Sequence, residues 1–161
     1  MKNSYVNILI ESLENKDAVL DEILKEDRRQ AEIFKKKDPE LEELEKSQER
    51  IGELAAKLDQ LNDGFQSVYD RVKGELQSNK ELYRDEIKRM QELITTITGK
   101  TVKIEAEQNR NKRDAEKLFS EKRKSFVEKR STVRKLNLYA NQMNNVIPTG
   151  QAEAAFLDKK K

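Results

Sequence analysis

The side chains that most often carry covalent or acid–base chemistry near neutral pH are missing. The chain contains neither cysteine nor histidine. That removes thiolate nucleophiles, disulfides, imidazole bases and the usual zinc ligands. The 31 Asp and Glu residues remain, and carboxylates alone can hold a hard cation. Here they are scattered, singly or in adjacent pairs, among lysines and arginines, the pattern of solvated helix faces. The sequence therefore predicts no catalytic residue, no metal site, no cofactor and no small-molecule substrate.

Two other kinds of chemistry are open. From Glu11 to Asp63 there are 17 acidic and 10 basic residues, whereas from Arg110 to Lys135 there are 4 acidic and 11 basic. Blocks of opposite sign either face each other or attract partners of opposite charge. In the basic block the cations are interleaved with Asp114, Glu116, Glu121 and Glu128. No nucleic-acid-binding module is visible, so a basic nucleic-acid- or ribosome-associated role ranks third. The other chemistry is apolar. Leu118, Phe119, Phe126, Val133, Leu136, Tyr139, Met143 and Ile147 lie along a helical stripe rich in aromatics and Met, the adaptable anchors of helix-docking surfaces. The alternative for the same stripe is ordinary packing, on the chain's own first helix or in a homodimer. That alternative makes the protein a self-associating coiled coil.

Those residues must be positioned by long helices. Tyr83, Ile87, Met90, Ile94, Ile97, Thr101 and Ile104 alternate at spacings of four and three, close to a coiled-coil seam. The seam turns polar at Gln108 and Asn111, then resumes with Ala115 and Leu118 and runs to Ile147, before Pro148. One helix from Tyr83 to Ile147 would be about 95 Å long at 1.5 Å per residue. The weak place is Thr95 to Val102, where β-branched residues flank Gly99. The stripe keeps its register there, so the helix is expected to continue.

A first helix is predicted from an N-cap at Asn3 or Ser4. Val6, Leu13, Leu20 and Phe34 fall in one heptad position, and Asp27 falls in the same position. With Leu24 and Ala31 able to carry the seam past it, Asp27 is expected to face water. Asp38-Pro39 reads as a cap and first position of a second helix, which carries Leu41, Leu44, Ile51, Leu54, Leu58, Leu61, Phe65, Val68, Val72 and Leu76. Ser78 with Glu81 forms a capping-box pattern, placing the second turn at Gln77 to Asn79. The fold expected is all-α: an antiparallel bundle of three long helices, the third roughly twice as long as the others. The expected organisation is a bundle over 1–112, a C-terminal arm over 113–150 that projects or folds back, and a mobile tail over 151–161.

Ile8, Leu9 and Ile10 are too short a run for a signal-peptide core. A cytoplasmic location is expected.

Several stretches resemble the flagellar type III export chaperones of the FlgN kind. They are Tyr5-Val6-Asn7-Ile8-Leu9-Ile10-Glu11-Ser12-Leu13-Glu14-Asn15-Lys16, Gly64-Phe65 to Leu76, Leu93-Ile94 to Asn111, and the closing Phe156-Leu157-Asp158-Lys159-Lys160-Lys161. The FliT-like relatives share the same helical character. The resemblance implies a non-catalytic helical protein that holds hook-associated (hook–filament junction) subunits unpolymerised and hands them to the flagellar export apparatus. It also implies that the client binds the C-terminal helical part, here Leu118 to Ile147.

Overall fold

The computed structural model describes residues 2–125. Over these the chain is all-helical, with α1 at Tyr5–Phe34, α2 at Leu41–Ser78 and α3 at Arg84–Ser125. The third helix is the longest, 42 residues against 30 and 38. The expected continuation from Phe126 through Val133, Leu136, Tyr139, Met143 and Ile147, and the tail beyond it, lie outside the described residues.

Asn3 starts α1 as an N-cap, its side-chain oxygen accepting a 2.9 Å bond from the Tyr5 amide. The first connection departs from expectation by two residues. The Leu44 amide donates to the Glu40 carbonyl at 3.3 Å, so α2 begins at Leu41 and Asp38 does not cap it. Pro39 is buried in the connection, and the Asp38 carboxylate lies 3.5 Å from the Lys122 ammonium. The second turn also falls slightly later, over 79–83. Asn79 makes it rather than a Ser78–Glu81 capping box: its side-chain amide donates to the Glu75 carbonyl at 3.1 Å.

The helices contribute to two compact units. The first holds, among described residues, 2–21 and 56–101. It unites the start of α1, the end of α2 and the start of α3, which makes successive helices antiparallel. Its core is Val6, Leu9, Leu13 and Leu20 against Leu58, Phe65, Val72 and Leu76, with Tyr83 from the second turn and Met90, Ile94 and Ile97 from α3. The Tyr83 hydroxyl, fully buried, accepts from the Asn3 amide at 2.7 Å and donates to Glu75 at 2.9 Å. This ties the chain's beginning to the second turn.

The second unit holds 22–55 and 102–125. Ile23, Leu24, Leu44, Ile51, Leu54 and Ile104 form its apolar layers. Beside the first turn, Ile33, Leu44, Ala115 and Phe119 make a buried cluster, with Phe34, Leu41 and Leu118 packed against it. The bundle therefore does not stop at 112 as expected: α1 and α2 still cover α3 at Phe119.

The helix also runs unbroken through Thr95 to Val102. Thr95, Thr96, Thr98 and Thr101 each donate a hydroxyl hydrogen bond to the carbonyl four residues back, at 2.8–3.1 Å. Their side chains bond within the helix instead of competing with it. Gly64 and Gly99 are exposed, and a Cβ built on either meets nothing within 4 Å. Gly64→Ala and Gly99→Ala should each raise unfolding stability by about 0.5–1 kcal/mol in urea titration. A loss of stability in either would mean that its helix is not regular at that position.

Candidate functional site

The unusual chemistry of the second unit lies between its apolar layers. Asp27, Gln30, Ser47, Gln48 and Asn111 are all buried there, Asp27, Ser47 and Asn111 with no exposed surface. Asp27 and Gln30 come from α1, Ser47 and Gln48 from α2, Gln108 and Asn111 from α3, so all three helices meet at one polar level. Gln30 donates to Gln48 at 3.1 Å. Asn111 donates to the Asp27 backbone carbonyl at 2.9 Å and to the Gln30 side-chain oxygen at 3.4 Å. Gln108 donates to Asp27 Oδ1 at 3.4 Å. Ser47 donates to Glu26 at 2.6 Å.

This overturns two expectations. Asp27 does not face water; the heptad position it shares with Val6, Leu13 and Leu20 points inward, and drift of the stripe does not rescue it. Gln108 and Asn111 do not mark the end of the cover. They face partners on α1, which is why the seam turns polar there. The missed signal was a coincidence of two seams: a polar residue in register on the first helix and two on the third.

The layer is rich in acceptors. Asp27 Oδ2, Glu107 Oε2 and Asn111 Oδ1 are buried and receive no hydrogen bond. Burial pushes the Asp27 carboxyl up from 3.8 to about 7; Gln108 opposes this, Glu107 and Glu26 add to it, and Arg110 opposes it. The neutral acid is favoured because an isolated buried carboxylate costs far more than a buried, hydrogen-bonded carboxylic acid. A carboxyl poised near neutrality is what a general acid or base needs. This one is sealed from solvent. Among the described residues, no group of three or more His, Cys, Asp or Glu side chains is arranged to hold a metal ion.

The expected docking residues fall in two places. Phe119 is 4% exposed within the cluster at the first turn, so its side chain is committed to the chain's own core. Leu118 is half-buried at the edge of that cluster. It lines a recess of about 520 Å³ together with Phe34 and Pro39, the cations Lys37, Arg110 and Lys117, and the carboxylates Glu32, Asp114 and Glu121. The other six expected residues lie outside the described range.

The fold and site together define an antiparallel three-helix bundle with an acceptor-rich polar layer and an apolar seam on its longest helix. No protein-family model, curated protein or solved structure matches the chain.

The raised Asp27 value has a definite sign. The folded state holds this proton more tightly than the unfolded chain does. Its contribution is fully favourable below about pH 4, declines as pH rises from 4 to 7, and is flat above. Asp27→Asn keeps the shape and stays neutral. The stability advantage of D27N over wild type should grow by about 3 kcal/mol between pH 4.5 and 8, at 1.36 kcal/mol per pKa unit. Denaturant midpoints across that range measure it, and a pH-independent gap would show that Asp27 titrates normally.

Proposed function

We propose that this protein is a cytoplasmic flagellar export chaperone, acting by binding and not by catalysis. Its clients would be hook–filament junction subunits, which it keeps from assembling early and passes to the export apparatus. One observation carries the reading. The turn joining α1 and α2 packs beside Ala115 and Phe119, through Ile33, Phe34, Leu41 and Leu44. The α1–α2 hairpin is used up at that level. The apolar pattern of the sequence goes on for a further 28 residues, from Phe119 to Ile147, with Phe126, Val133, Leu136, Tyr139 and Met143 between them. Side chains of that size are each worth about 1.5–3 kcal/mol when buried. A client's amphipathic terminal helix laid along that stripe would bury it, a helix-in-groove mode of recognition. The resemblance to FlgN-kind chaperones assigns client binding to the same part of the chain. Leu118, at the lip of the 520 Å³ recess, begins this surface.

The double variant V133D/L136D tests the reading. It places carboxylates where a client helix needs desolvated apolar contact. Titrating a junction-protein terminal helix by calorimetry should show binding at least a hundredfold weaker than wild type, at ~1.4 kcal/mol per tenfold. The helical circular dichroism and the melting of the bundle should be retained. Equal affinity for the two proteins would sink the docking surface. Collapse of the whole fold would assign the stripe to internal core, and dissociation of a homodimer would assign it to self-association.

A further inference from the structure

The first unit carries a groove that the arm reading does not use. Its floor is Tyr69 and Leu76 of α2 and Ile87 of α3, and its rim is Lys80 and Glu81 of the second turn with Arg84 and Lys88. The volume is about 260 Å³. That is below the usual range for a small-molecule pocket, roughly 300–1,000 Å³, yet more than one large apolar side chain fills. Leu82, in the same turn, is 44% exposed, an apolar side chain left wet beside the rim residues.

The rim charge is one-sided. Three of its four charged residues are cations, and Glu81 is the sole anion. Arg84 has only a 4.0 Å contact with Asp85 and is 76% exposed, so that pair holds it weakly. Lys80 and Lys88 make no ion pair among the described residues. Arg84 and Lys88 stand one helical turn apart, about 6 Å along α3, and Lys80 lies four residues earlier. Arg84 and Lys88 match carboxylates repeated at the same interval on a second helix, and Lys80 in the adjoining turn adds a third cation.

We propose that this groove docks an acidic amphipathic helix of a partner protein. One apolar side chain of the partner enters between Tyr69, Leu76 and Ile87. Two of its carboxylates, spaced one turn apart, pair with Arg84 and Lys88, and a third pairs with Lys80. The interface is small and its charges are exposed, so the complex is weak, fast-forming and salt-sensitive.

The test uses the full chain and a fluorescein-labelled helical peptide with glutamate at every fourth position beside a leucine stripe. The control peptide has glutamine in place of glutamate. Fluorescence anisotropy should show the glutamate peptide binding at least tenfold tighter than the control, and at least tenfold weaker at 0.5 M than at 0.05 M salt. K80E/R84E/K88E, with all three changes on exposed positions, should lose binding at least tenfold while keeping its helical circular dichroism. E81Q, which removes the only rim anion, should bind more tightly than wild type. V133D/L136D should bind this peptide normally, which separates the groove from the arm. Equal binding to both peptides, no binding at all, or unchanged affinity in the triple variant would each overturn the proposal. So would loss of binding in V133D/L136D, or preferential binding of decanoate vesicles or single-stranded RNA at the same rim.

Discussion

The carboxyl of Asp27 constrains the second unit more than any other group. It is fully buried, one of its oxygens receives no hydrogen bond, and its backbone carbonyl is held by Asn111. Apolar layers lie on both sides of it, with Ile23 and Leu24 before it on α1 and Ile33 after it. Sliding α3 by a heptad would bring Ile104 or the neighbourhood of Ala115 against Asp27 and would leave Asn111 facing hydrocarbon. Either outcome strands polar groups without partners, at a cost of about 1–3 kcal/mol each. The layer thus gives up stability and fixes the alignment of all three helices, the best-attested use of a polar group in a helical seam.

The exposed ion pairs do much less. Arg28–Glu107 and Arg50–Glu22 join different helices and Lys36–Glu43 joins the first connection to α2, yet each involves at least one largely exposed side chain and such pairs are worth about 0–1 kcal/mol. Lys100 is different. It is partly buried and lies 2.7 Å from Asp17 and 2.8 Å from Asp21. The two aspartates outweigh the burial and raise its pKa. It also follows Gly99 directly. The poorest helix-forming stretch of α3 is thereby pinned to α1 by a cation shared between two carboxylates.

Much of the fold was readable because apolar spacing and turn chemistry are local. The four-three alternation from Tyr83 to Ile104 gave α3, and Asn3, Pro39 and the end of the stripe near Leu76 located the helix ends to within a few residues. The site was less readable because it depends on what faces what. Asp27 alone could have faced water. Only its meeting with Gln108 and Asn111, 81 and 84 residues away, shows it to be interior. One clue lay within reach. Gln30 and Gln48 stand nine residues on either side of Pro39, so an antiparallel hairpin turning there must bring them together, as it does. The Asp38 cap failed because the buried proline takes up the connection and α2 begins only at Leu41.

The order of the helices bears on synthesis. α1 and α2 can close as a hairpin through a short connection, but that hairpin has one face prepared for α3. Leu9, Leu13, Leu20 and Leu58, all essentially inaccessible in the finished fold, lie in the part of the bundle that α3 completes. The 42 described residues of α3 follow them from the ribosome, which takes roughly 2–8 s at ~5–20 residues per second. The bond from the Asn3 amide to Tyr83, 80 residues apart in the chain, can form only once the second turn has emerged. For those seconds the nascent hairpin is itself an apolar groove waiting for a helix, and the chain's own third helix is the first one due to arrive.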